Sequence, residues 1–222
     1  MELTQSQAHG FRWENEIKEK VFGLAIEKNN TDKHDICCSN NKYNSNETIS
    51  IKTTGNTTID CGDILLFYDY DFTKKHTICC VEYRQMSVDT KRISGIYEID
   101  YTQKMRDMLF GNIPKKELID YRDNVKKIPN NIKGKEAKQL FNYLEEKKGL
   151  QKKYNMKIRI SPKVDSKQSR VQCSIPKFKE TLKDYIVYKS SKDKVNIVRG
   201  IEIALEIVSR RRLRIKRLIY KV

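Results

Sequence analysis

Lys52, Asp63 and Glu82 stand in the runs I-S-I-K-T-T, G-D-I-L-L-F-Y and V-E-Y-R-Q, each rich in β-branched or aromatic residues. A lysine and two carboxylates are a set that can work on a phosphodiester. Carboxylates hold a hard divalent ion such as Mg²⁺, which keeps several waters, and a neighbouring ammonium orients water or phosphate. The three apolar runs, 49–53, 62–70 and 77–84, are separated by turn-rich gaps at Thr54–Asp60 and Asp71–His76, a pattern that predicts a three-stranded antiparallel meander. Side chains alternate faces along a strand, so register decides which residues meet. Pairing Lys52 with Asp63, and Asp63 with Glu82, centres both connections inside the gaps. In that register Ser50, Lys52, Asp63, Leu65, Glu82 and Arg84 share one face, and Ile49, Ile51, Ile64, Leu66, Cys79 and Val81 share the apolar other. Charged residues on one face of a meander are also what a plain solvated face looks like.

G-D at the head of one strand and E-x-R-Q near the end of the next resemble the motif of the PD-(D/E)XK nuclease superfamily. The resemblance covers about the first 90 residues. It implies a mixed central sheet flanked by helices, a restriction-endonuclease-like α/β core, with Mg²⁺ as cofactor and no small-molecule cofactor. Matched position by position, it assigns Asp63 and Glu82 to the metal and Arg84 to the lysine position. Glu14 or Glu16 takes the place of the helical glutamate. A guanidinium stays protonated and cannot serve as a base, so Lys52 is expected to supply the lysine function, with Glu14 assisting. Asp35, in the short run H-D-I-C-C, offers an alternative version of the motif, Asp35 with Ser50-x-Lys52, which lacks the second acid. A type II restriction-like enzyme that cuts both strands of a symmetric site would act as a homodimer.

The elements that must position these residues are legible around them. Trp13, Ile17, Val21 and Leu24 form one stripe of a helix that Gly23 stops, with Glu14 at the stripe's edge, where pairing with Lys18 is the bland alternative. A strand is expected at Ile93–Ile99, then helices at about 100–110, from Pro114 to Ile128, and at about 135–148. The six cysteines lack metal-ligand spacing and the three histidines are scattered, so the thiols are expected to be free, with Cys79 and Cys80 as small core residues in an intracellular protein.

Charge divides the chain at Gly149. Residues 150–222 hold 21 of the 45 lysines and arginines but 6 of the 29 acids, so almost all of the net charge of +16 lies there. The expectation is a catalytic core with packing helices at 1–149 and a basic DNA-binding portion at 150–222. In the latter, Lys163, Lys167, Gln168, Arg170 and Gln172 crowd donors between two apolar runs, as a hairpin that reads base edges would. The pattern of Ile201–Ile219 predicts a basic amphipathic helix carrying Arg211 and Arg212. Such a helix can also lie on an anionic membrane, but the adjoining donor loop favours double-stranded DNA and no membrane. The expected activity is therefore Mg²⁺-dependent, sequence-specific cleavage of DNA, and the competing class is a non-catalytic nucleic-acid-binding or packaging protein.

Overall fold

The computed structural model describes residues 12–25, 34–129, 140, 142, 144–145, 149–164 and 169–208. Its principal sheet is mixed. Strand β1 (Glu47–Thr54) runs parallel to β3 (Lys75–Gln85), β3 pairs antiparallel with β4 (Thr90–Asp100), and β4 also carries β7 (Ile186–Lys189) and β10 (Glu206–Val208). A second, antiparallel sheet is ordered β2 (Ile59–Asp63), β6 (Ser169–Ile175), β5 (Arg159–Val164).

The expected meander is not formed, and the reason is local. Gly62 takes φ +79 at a register shift just before the end of β2, where a left-handed conformation suits glycine. Asp63 then caps a short helix α2 (Ile64–Tyr68), its carboxylate accepting from the N–H groups of Leu65 at 2.9 Å and Leu66 at 3.1 Å. Aspartate is among the strongest N-caps, and a continuous apolar run such as I-L-L-F-Y has no period to distinguish strand from helix. The segment between β1 and β3 thus becomes a crossover, which parallel strands require. Lys52 lies opposite Cys80, and Asp63 lies opposite Gln172 of β6.

The partition of faces nevertheless survives in β1 and β3. Paired residues of parallel strands share a face, so Ser50 and Lys52 lie with Ile78, Cys80, Glu82 and Arg84, while Ile49, Ile51, Cys79 and Val81 lie on the reverse. The reverse face packs on the N-terminal helix α1 (12–21, with a π-turn at Ile17–Val21) through Trp13, Ile17 and Val21. The other face packs Ile78, Cys80, Tyr97 and Ile99 against α3 (Gln103–Phe110), α4 (Lys115–Lys126) and the second sheet. Cys79 and Cys80 are both buried core residues, and all six cysteines are free. Gly111, at φ +62, terminates α3 where a Cβ would stand 2.0 Å from the Tyr154 carbonyl oxygen.

The expected C-terminal helix is absent over its described part. Ile201–Glu202 pairs with Ile197–Val198 (β9 with β8), and β10 adds to β4, burying Ile207 between exposed neighbours. I-E-I and E-I-V alternate with period 2, and the open edge of β4 provides the ladder that selects the strand. Arg211 and Arg212 lie outside the described residues. Strands that follow Gly149 complete both sheets, so hydrogen bonding is continuous across the boundary drawn by charge.

Arg199 fastens this arrangement. At φ +48 on the β8–β9 turn, it donates to both Glu47 oxygens at 2.8 and 3.0 Å and to Glu98 at 2.9 Å. Burial pushes the Glu47 carboxyl up, but the hydrogen bonds from Arg199, Thr77 and Asn41 prevail and hold it at about 2. The start of β1 is therefore clamped to β4, five residues before Lys52.

Candidate functional site

Lys52 opens onto a pocket of about 170 Å³ that Ser50, Asp63, Tyr70 and His76 also line. No described carboxylate comes within ion-pair distance of its ammonium, which is half-buried. Tyr70 is the pocket's polar hinge. Its hydroxyl lies 3.3 Å from Ser50 Oγ and 3.2 Å from His34 Nδ1, and its ring stacks on His76 at 3.9 Å between centroids. Burial pushes the phenol up to about 12, so it stays a neutral O–H at physiological pH. His76 Nδ1 is in turn 2.7 Å from Thr48 Oγ1.

On the outer edge of β1 a second cluster adjoins the first. An isolated bridge between Ile36 and Ile49 brings in Asp35, whose Oδ2 accepts the Ile51 N–H at 2.7 Å. The Lys18 ammonium bridges Asp35 Oδ1 at 3.8 Å and Glu14 Oε1 at 2.6 Å. Burial and then the negative charge of Asp35 raise the Glu14 carboxyl, against the opposing pull of Lys18 and Lys52. Glu14, Asp35 and Lys52 therefore act on one another electrostatically although they come from α1, a bridge and β1. The i+4 pairing of Glu14 with Lys18 is formed, and the same lysine links Glu14 to Asp35.

The remaining candidate residues separate. Asp63 faces Lys52 across the pocket but spends one oxygen capping α2. Glu82 shares the face of Lys52, yet no strand pairing joins it to Asp63. It accepts from Lys179 at 2.6 Å and from the Tyr97 hydroxyl at 3.3 Å. Arg84 lies farther along the same face, exposed and opposite Arg92. In the second sheet Lys163 and Arg170 are a direct cross-strand pair on the polar face, and Gln172 follows opposite Ser161. The buried Gln172 Oε1 has no partner among the described residues. Lys167 and Gln168 lie outside them.

Tyr70, His34 and His76 were not singled out from the sequence. His34 precedes Tyr70 by 36 residues and His76 by 42, with no local spacing to join them; the one available sign is that Thr48, Ser50 and Lys52 alternate onto a single face. Among the described residues no group of three or more His, Cys, Asp and Glu side chains converges as a metal cluster, and no described helix is long and apolar enough to cross a membrane. Comparison with protein-family models, curated proteins and solved structures returns no match to this chain.

Proposed function

We propose that the chain is a Mg²⁺-dependent endonuclease acting on double-stranded DNA in the manner of type II restriction enzymes. Its core would be a variant of the PD-(D/E)XK arrangement in which Asp35 and Ser50-x-Lys52 carry the motif and Glu14 is the helical acid. The observation that carries this reading is the meeting of Glu14 and Asp35 around one cation, Lys18, beside the unpaired Lys52. Confined like charges favour a cation between them. Two carboxylates suit Mg²⁺, which is commonly held by one or two carboxylates together with water and substrate phosphate.

When bound there, the ion would stabilise charge on the phosphoryl oxygens and lower the pKa of the attacking water. The chain's own part is positional. Glu14 and Asp35 would hold the cation in the place that the Lys18 ammonium takes here. Lys52 receives a phosphate oxygen from the pocket side, and the neutral Tyr70 hydroxyl keeps Ser50 turned toward it. Asp63 completes the far wall, with one oxygen left over from the α2 cap. Donors on Lys163, Arg170 and Gln172 follow directly from Asp63 through β6 and extend the DNA contact. Cutting both strands would require two copies related by a two-fold axis.

A specific observation favours a second reading, a nucleic-acid-binding protein without activity: Ser50 occupies the position of the second acid. Incubation of mixed-sequence plasmid with and without Mg²⁺ or Mn²⁺ separates the two. Discrete metal-dependent fragments are expected, lost in Glu14→Gln, Asp35→Asn and Lys52→Met while DNA binding in EDTA persists. A wild type that cuts nothing with either metal leaves the binding protein.

A further inference from the structure

We infer that the β3–β4 hairpin is a backbone clamp for duplex DNA, built on the cross-strand pair Arg84 and Arg92. The inference rests on the nucleic-acid partner proposed above but not on cleavage. Arg84 and Arg92 are direct register partners on an antiparallel ladder, which sets their Cβ atoms about 5 Å apart on one face. Like charges so placed work against the fold, and no described acid relieves Arg84 by ion pairing. Arg92 reaches Glu206 at 3.7 Å, with both side chains about half exposed at 49% and 46%, a contact of little weight in water.

The same face continues the positive charge toward the sheet centre. Lys179 and Lys189 each lie 5.8 Å from the Tyr97 ring centroid, and the acid between them and the arginines, Glu82, is already neutralised by Lys179. With Lys179 and Glu82 cancelling, three cations remain on this face: Arg84 and Arg92 beyond the last residue of β1, where Thr54 pairs with Glu82, and Lys189 opposite Tyr97.

The hairpin is also rigid, so little entropy is lost on contact. Its reverse face is anchored where Tyr83 lies 5.4 Å from Trp13 and takes a hydrogen bond from the buried Lys91 at 3.1 Å. The turn is closed by Met86 N–H to the Thr90 carbonyl at 2.9 Å and by Ser87 Oγ to Asp89 at 2.7 Å. Two exposed guanidinia on a fixed ladder match successive phosphates of one strand, because arginine forks bind phosphate oxygens bidentately. Contacts of this kind position the protein without reading sequence.

The test is the salt dependence of binding to a mixed-sequence duplex in EDTA, followed by fluorescence anisotropy. Each phosphate contact contributes about 0.9 to the slope of log K against log salt, so Arg84→Gln/Arg92→Gln should lower the slope by about 1.8, equally for all sequences. The variant's urea midpoint should equal or exceed that of the wild type, because a repulsion is removed, which separates lost contact from lost folding. Lys126→Gln/Lys127→Gln, on the exposed end of α4, removes the same charge elsewhere and should leave most of the slope. The clamp is overturned by an unchanged slope, by equal losses in the two double variants, by polyglutamate competing as well as duplex, or by a wild type that binds no duplex. A wild type that binds with the full slope but never cleaves would overturn the nuclease reading and leave the clamp standing.

Discussion

Replacing Arg199 by Met removes the guanidinium that clamps β1 to β4 while keeping much of the side chain's length, and the cost can be worked from Glu47. That carboxylate has 2% of its side chain exposed and titrates at about 2 in the folded chain, against an ordinary value of 4.5. A shift of that size is worth about 3 kcal/mol, at about 1.4 kcal/mol per unit. Because the folded value is depressed, the stabilisation is complete above the unfolded pKa and is lost as pH falls from about 5 toward 2. Removing one partner of a buried pair typically costs about 3–5 kcal/mol; Asn41, Thr77 and Lys75 still contact Glu47, so about 3 kcal/mol is expected. Urea unfolding at pH 7, 5 and 3 is the assay. The gap between Arg199→Met and wild type should be widest at pH 7 and narrow at pH 3, where wild-type Glu47 begins to protonate. Glu47→Gln should flatten the acid limb of the wild-type curve. A gap under about 1 kcal/mol that does not change with pH would refute the clamp as the source of this stability.

Asp63 has two separable duties, capping α2 and facing Lys52. Asn caps as well as Asp, so Asp63→Asn should keep wild-type stability and reveal any catalytic need for the charge, whereas Asp63→Ala should lose about 1 kcal/mol in thermal or urea unfolding. Gly111→Ala places a methyl 2.0 Å from the Tyr154 carbonyl oxygen at φ +62; it should destabilise by more than about 1 kcal/mol, well beyond the usual Gly-to-Ala effect, and near-neutrality in the same unfolding assay would show that the loop can move. Tyr70→Phe removes the hydroxyl between Ser50 and His34 without opening a cavity, so plasmid cleavage should fall while the fold is retained, and full activity would remove Tyr70 from the site.

The division of β1 and β3 into faces was readable because alternation belongs to each strand by itself. Ser50 and Lys52 share a side, as do Glu82 and Arg84, whichever strand lies next to them. Pairing is different in kind, because it depends on what the intervening chain does. A single aspartate capping five apolar residues turned a predicted strand into a helix, and with it a hairpin into a parallel crossover. The error therefore spread to the Lys52–Asp63 and Asp63–Glu82 pairings but not to the faces. Asp35 was visible as a candidate beside Lys52, since a short apolar run preceding β1 is a natural edge partner. Its contact with Glu14 through Lys18 was not visible, because three charges on α1, an isolated bridge and an edge strand have no common period.

Arg84 falls where the PD-(D/E)XK pattern that the sequence resembles has a lysine. An E-x-R spacing fixes only that Glu82 and Arg84 share a face. It says nothing about whether that face is covered, and here it changes character along its length. At Cys80 it is core, at Glu82 it is the half-buried partner of Lys179, and at Arg84 it has run past the end of β1 into solvent. An arginine there has no described carboxylate within ion-pair distance, while its cross-strand neighbour is another arginine. A guanidinium is a poor replacement for a base and a good ligand for a phosphate oxygen. Thus the departure from the motif that argued against catalysis at this position suits the proposed nucleic-acid contact near the tip of the hairpin, and in the proposed reading the lysine role falls to Lys52, two strands away from Arg92 and beside Asp35.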